Sequence, residues 1–239
     1  MSDSSILTNV DKLIDEALRL KRGKYQDKKT CQLLSKGRMA DFDGNALIQE
    51  ILAQVKSNWR QGKSRSNENW RWKKNLKIKT KSEEVVLERW IARTTDNDWV
   101  NQVPVASGLT QSAGGRRAID LVHRCGDGWY EFIELKVGEG GGTPLFAAME
   151  ILQYGVLYIF SRENARTLGY KEAGILGATG IHLKVLAPAS YYEGYDLLWL
   201  EESINSGLAR FLARGEHGFE FEMDFKFEYL SRSPVTWNV

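Results

Sequence analysis

Apolar residues recur at helical spacing over residues 6–20. Ile6, Leu7, Val10, Leu13, Ile14, Ala17 and Leu18 line one side, and Asp11, Asp15 and Glu16 the other. The run that follows, KRGKYQDKK, is polar throughout and predicts a solvated loop. A second helix is expected over residues 44–59, with Leu47, Ile48, Ile51, Leu52, Val55 and Trp59 on one face. A third starts after Ser82, a suitable N-cap, and sets Glu84 and Glu88 one turn apart on one face. Val103-Pro104-Val105 begins a strand. AIDLVH and WYEFIELKV alternate as two further strands, and the CGDG between them is a hairpin signal. Thr143-Pro144 opens a helix through Tyr158, as an N-cap followed by a first-turn proline. Residues 181–186 read as a buried strand and 201–213 as a helix. FEFEMDFKFEY alternates as a strand with one apolar and one charged face. The pattern predicts an α/β protein: a central mixed β-sheet flanked by helices. The expected division is a helical, basic N-terminal region over 1–81 and a sheet domain over 82–239.

Composition changes this picture little. Of 239 residues, 42% are hydrophobic and 27% charged, which suits a globular chain with a sizeable core and is too apolar for disorder. Cys31 and Cys125 are the only cysteines, so neither a disulfide framework nor a Cys-rich zinc site can be built. His123, His182 and His217 lie far apart, which argues against a histidine metal centre. The MSDSS start is unlike a signal peptide, and no apolar run approaches ~18 residues. A cytoplasmic protein with no membrane partner is expected.

Charge changes the picture more. The net charge of +2 conceals +9 over residues 56–81 and −6 over residues 193–228. In the basic stretch only Glu68 is acidic, and Trp59, Trp70 and Trp72 are interleaved. One reading is a solvated linker whose tryptophans anchor it to the core. The other is an arm for a phosphate backbone. On that second reading Lys63, Arg65, Arg71, Lys73, Lys74 and Lys77 form a nucleic-acid-binding set, joined by Arg116 and Arg117 just ahead of the hairpin.

The hairpin carries the chemistry. If it turns about Asp127, positions summing to 254 face each other, so Asp120 lies opposite Glu134 and Ala118 opposite Lys136. Asp120, Glu134 and Lys136 then share a face with the apolar Val122 and Phe132, while Ile119, Leu121, Ile133 and Leu135 form the other. Carboxylates interrupting a buried face need compensation. A divalent cation beside Lys136 would supply it, and an inert cross-strand ion cluster is the bland alternative. The carboxylate-x-lysine tripeptide alone decides nothing, since Asp27–Lys29 and Asp224–Lys226 repeat it in a charge run and on a solvated-looking strand.

Asp120, thirteen intervening residues and then Glu134-Leu135-Lys136 resemble the PD-(D/E)xK nuclease superfamily, which has the restriction-endonuclease-like fold. The proline usual before the aspartate is Ile119 here. The resemblance covers about residues 82–185 and implies a glutamate on the helix before the hairpin. Glu84 is taken narrowly ahead of Glu88, and each also reads as a solvated residue or a partner of Arg89 or Arg93. It further implies a helix after the hairpin presenting Gln153 and Tyr154, of which Tyr154 reads more readily as core. The implied activity is phosphodiester hydrolysis, in DNA by preference, with Mg2+ or Mn2+ held by Asp120, Glu134 and Glu84. Lys136 and Gln153 would then position water and phosphate. Many members of that superfamily dimerise to cut two strands, and the assembly state of this chain stays open. The competing class is a noncatalytic nucleic-acid-binding or assembly module that retains the fold.

Other motifs fail in detail. The glycine run at 138–142 has Thr143 where a dinucleotide fingerprint needs its third glycine, and Ser57 stands where a P-loop ending in Gly62-Lys63-Ser64 needs its first.

Overall fold

The computed structural model describes residues 5–36, 39, 41–76, 82–110, 117–137, 142–171, 173–213 and 220–230. Its centre is a five-stranded open sheet in the order β1-β2-β3-β4-β5. The strands are β1 (Trp99–Pro104), β2 (Ala118–Gly126), β3 (Trp129–Leu135), β4 (Gly180–Ala187) and β5 (Glu222–Tyr229). The first three form an antiparallel meander, and β4 and β5 then add in parallel. Parallel neighbours need crossovers. Helices α5 (Pro144–Glu163) and α6 (Ala165–Leu168) supply the first, and α7 (Ala189–Tyr192) and α8 (Leu198–Leu212) the second. The sheet is mixed and flanked by helices, as the pattern predicts.

Asp127 and Gly128 turn the hairpin, with Gly128 at φ +79, where a side chain would be strained. The register matches the expectation from Leu121↔Ile133 through Arg124↔Tyr130 and slips only at a bulge beside Gly126. His123 faces Glu131, with Nδ1 2.8 Å from a carboxylate oxygen. Both faces of the hairpin are buried. Val122 and Phe132 belong to the main core, whereas Leu121, Ile133 and Leu135 pack with Leu87 and Ile91 of α4 (Glu83–Thr94). Helix α4 is capped by Ser82, and α5 by Thr143.

Three features depart from the sequence reading. Strand β1 starts at Trp99, four residues before Val103, because the polar Asn101 and Gln102 mask its alternation. A helix, α2 (Lys28–Leu34), begins inside the charged run expected to be loop and takes in its last two residues, Lys28 and Lys29. Helix α5 is twenty residues long and, by length and composition alone, apolar enough to cross a membrane, although no apolar run of that kind was expected. Within the fold 89% of its apolar window is buried, which accounts for its composition: it is apolar all round because protein surrounds it.

Helices α1 (Val10–Ala17) and α3 (Gly44–Asn58) contribute Val10, Ile14, Ile48 and Ile51 to the same cluster as Phe132, Tyr158 and Leu183. The boundary expected at residue 81 falls within 77–81, outside the described residues. Helix α3 meets α8 at two glycines. A Cβ at Gly207 would stand 2.5 Å from the Gly44 carbonyl carbon and 2.6 Å from the Asn45 nitrogen, both backbone atoms that cannot swing aside. Gly207→Ala is therefore expected to cost about 1–3 kcal/mol through overpacking. A denaturant melt reads this directly, and an unchanged midpoint would show that the helices part without strain.

The basic region is helical only as far as Asn58. Residues 59–76 carry no regular secondary structure, and the stretch from Trp70 to Asn75 runs beside the outer edge of β1. Backbone bonds fix them: Arg65 N–H donates to Gly108 O (3.0 Å), and Trp70 N–H to Pro104 O (2.9 Å). The fully buried Asn101 pairs with the Asn75 backbone in both directions, donating at 2.9 Å and accepting at 2.8 Å. Trp59 packs edge-on against Phe160, and Trp70 packs on Phe132 and Tyr158. These two tryptophans anchor the arm and leave its basic side chains outward.

Candidate active site

Asp120 lies where the β2–β3 pairing ends, and its side chain takes over from the ladder. Its Oδ2 accepts the Leu135 N–H at 3.0 Å. Glu134 is the last polar residue of β3, and Lys136 follows the strand. Both are buried, and Lys136 Nζ donates to Glu134 Oε1 at 2.6 Å. The other carboxylate oxygen, Glu134 Oε2, is buried with no hydrogen-bond partner among the described residues. The hairpin thus brings Asp120, Glu134 and Lys136 together.

From α4, Glu88 is 1% exposed and accepts from Gln102 Nε2 at 2.7 Å. The same amide nitrogen lies 3.4 Å from Asp120 Oδ1, so one side chain of β1 links two carboxylates. Gln102 sits at φ 51, left-handed in the middle of an edge strand, a strained conformation for a residue with a side chain. Glu84, one turn earlier, has its Oε1 buried without a partner among the described residues. Its charge acts on Glu88, Asp120 and Lys136 alike. Both helix glutamates reach the cluster, and Glu88 has the bonded path to Asp120.

From α5, Glu150 closes the far side. Its Oε1 accepts from Tyr154 Oη at 3.0 Å and from Arg117 at 3.3 Å, and its Oε2 lies 4.0 Å from Lys136 Nζ. Arg117 is thereby placed in an ion pair at the cluster. Gln153 is buried, and its amide donates to the Met149 carbonyl of its own helix at 3.1 Å. Glu150 and Tyr154 are the α5 side chains tied to Lys136 and Arg117. Sequence reasoning missed Glu150 and Gln102. Glu150 is the lone acidic residue between Pro144 and Ser161 of α5, a signal that could have been read.

Burial shapes the titration. It pushes Asp120 up to about 7, although Lys136 and the Leu135 N–H pull the other way. Burial and then the Asp120 charge push Glu88 up to about 8. Burial, with Asp120 and Glu150, raises Glu134 well above the usual carboxylate range. For Lys136 burial favours loss of the proton, but Glu134 and Asp120 outweigh it and hold the ammonium charged. Five carboxylates crowd Lys136 and Arg117, and carboxyls raised in this way mark a candidate functional site.

The donor set is all oxygen, which suits a hard divalent cation, and the orphaned oxygens of Glu134 and Glu84 are open to one. Among the described residues no three His, Cys, Asp or Glu side chains stand in ready ligand geometry. Lys136 engages Glu134, and the Gln102 amide bridges Glu88 and Asp120. The chemistry of the residues fits a metal, and their present arrangement would have to loosen to take one.

Of the expected nucleic-acid-binding set, Lys63, Arg65, Arg71 and Lys73 are exposed. Lys74 Nζ donates to the Thr95 and Asp96 carbonyls, at and just past the end of α4, at 3.3 Å each. Lys77 and Arg116 lie outside the described residues.

No protein-family model, curated protein or solved structure matches the chain.

Proposed function

We propose that the chain is a metal-dependent nuclease of the PD-(D/E)xK kind, restriction-endonuclease-like in fold, which hydrolyses phosphodiester bonds in nucleic acid, DNA by preference. The observation that carries this reading is the meeting of Asp120, Glu134 and Lys136 at the end of a buried hairpin, with Glu134 Oε2 left unpartnered. A buried carboxylate oxygen without a partner calls for an explanation, and a cation is one that suits the all-oxygen donor set.

Asp120 and Glu134 would hold Mg2+ or Mn2+, with Glu88 or Glu84 adding a further oxygen. When bound, the ion polarises the scissile phosphate and acidifies the attacking water. The chain's own residues do the rest. The Leu135 N–H fixes the Asp120 carboxylate, while Lys136 offers a permanent positive charge to phosphate oxygens. Glu150 steadies Lys136 from the opposite side, and Arg117 and Tyr154 hold Glu150 in place.

One observation favours the noncatalytic alternative: the Glu134–Lys136 ion pair is closed on itself at 2.6 Å. Incubating the purified chain with plasmid and single-stranded DNA in Mn2+ or Mg2+ separates the two readings. The nuclease reading expects cutting that EDTA stops. Binding without cutting in either metal would leave the noncatalytic module.

A further inference from the structure

Three cavities follow the arm in series. The first, of ≈ 330 Å3, is lined by Arg60, Lys63 and Arg65. The second, of ≈ 580 Å3, shares Lys63 and adds Asn69, Arg71, Trp72, Tyr170 and Lys171. The third, of ≈ 380 Å3, shares Arg71 and adds Lys73, Lys74 and Gln102. Each shares one basic side chain with the next, so the three lie end to end as a groove along the arm, and each is in the size range of ligand sites. Gln102, at its end, is the residue whose amide contacts Glu88 and Asp120.

We infer that this groove is the track for a single-stranded nucleic acid, leading its backbone along the arm to the carboxylate cluster. Charge is the first reason. Six exposed or half-exposed cations of the arm and Lys171 face one acidic residue, Glu68, which Arg71 and Lys73 already share at 2.7 and 3.8 Å. Such exposed pairs are weak and exchange readily for phosphate.

Shape is the second reason. A duplex presents phosphates on a convex surface, whereas these are concave recesses whose walls mix cations with rings and amides, the composition that suits unpaired bases. Trp72 and Tyr170 are half-buried beside the middle recess, while Trp70 beneath it belongs to the core. Rigidity is the third. Asn69 donates to the Ser107 carbonyl at 2.8 Å and to Tyr170 Oη at 2.6 Å and accepts the Ser107 N–H at 2.9 Å, so the middle recess is built before any ligand arrives. Tyr170 and Lys171 come from the segment after α6, remote in sequence from the basic arm.

The inference rests on the nuclease reading only for where the track ends. Its test therefore uses binding in EDTA, read by fluorescence anisotropy of a labelled 20-nucleotide DNA, the same RNA sequence and a duplex. The full-length chain is expected to bind a single strand tighter than the duplex, with the DNA and RNA arms telling which sugar is preferred. Replacing Lys63, Arg71 and Lys171 together with Ala should weaken that binding at least tenfold. It should also lower the salt slope by about 2, at roughly 0.7 per lost phosphate contact. The double variant Lys12→Ala/Lys226→Ala, on other surfaces, should bind as the parent does, and thermal melts of both confirm folding. Unchanged affinity and slope in the triple variant, or a duplex preferred over a single strand, would overturn the track. Strand binding that needs these cations, without cutting in any metal, sinks the nuclease reading and keeps the track. Cutting by a chain whose triple variant binds normally does the reverse.

Discussion

Asp120→Asn is expected to lower metal-dependent cleavage by on the order of 10^3-fold and, at the same time, to raise the melting temperature of the metal-free protein at pH 8. The first effect follows from removing one carboxylate charge that would hold the ion and align it with phosphate. The second comes from the same charge. Asp120 is pushed up to about 7 by burial, so at pH 8 the folded chain carries an ionised carboxylate that it would rather hold neutral. Asparagine keeps the shape, and its Oδ1 can still accept the Leu135 N–H. A gain of several degrees is reasonable, at ~2–4 °C per kcal/mol for a chain of this size. Below about pH 4, where Asp120 is neutral folded and unfolded alike, the variant and parent should melt together, and the gap should open as pH rises towards 7. Cleavage that survives the substitution would remove Asp120 from the site, and a lower melting temperature at pH 8 would make it a structural group.

The second large effect is in the pH dependence of stability itself. Asp120 and Glu88 have folded-state values near 7 and 8, against roughly 4 when unfolded. Between those limits the folded chain binds more protons than the unfolded one. These groups therefore add stability below about pH 4, and it is lost as pH rises through 7 and 8. Melts of the metal-free chain should fall steadily from pH 5 to pH 8.5. Mn2+ should reverse the fall, and more strongly at pH 8 than at pH 6, since its ligands must shed protons first. At a hundredfold excess over its dissociation constant, the ion adds about 2.7 kcal/mol. A melting curve flat in pH and indifferent to Mn2+ would mean that the carboxylates are neither strained nor a cation site.

The hairpin was legible because three local rules agree there. Asp127-Gly128 fixes the turn, alternation fixes the faces, and together they fix which residues oppose. Glu150 was legible as a lone acid but not as a neighbour of Lys136. Helix α5 is buried nearly all round, so its sequence carries no period from which to tell the side facing Lys136. Only the crossover from β3 to β4 brings it there. Gln102 gave no signal because its role depends on a left-handed backbone in an edge strand, which Gln does not announce. The arm was read as two alternatives, a linker anchored by tryptophans or a basic arm, and its anchoring is the part the fold shows. Trp59 and Trp70 face the core while Lys63, Arg65, Arg71 and Lys73 face outward, so the anchor and the exposed charge coexist in one segment.

The two edges of the sheet are both closed by bonds inside the fold. Beside β1, the Asn101 side chain holds the Asn75 backbone, and the Trp70 N–H takes the Pro104 carbonyl. On β5, the Asn205 side chain of α8 accepts the Phe225 N–H at 2.7 Å and donates to the Phe225 carbonyl at 2.9 Å, while Glu201 accepts the Phe227 N–H at 2.9 Å. Salt screens charge but leaves such an amide pair in place. Strand-to-strand growth between molecules would therefore have to unseat α8 or the arm first.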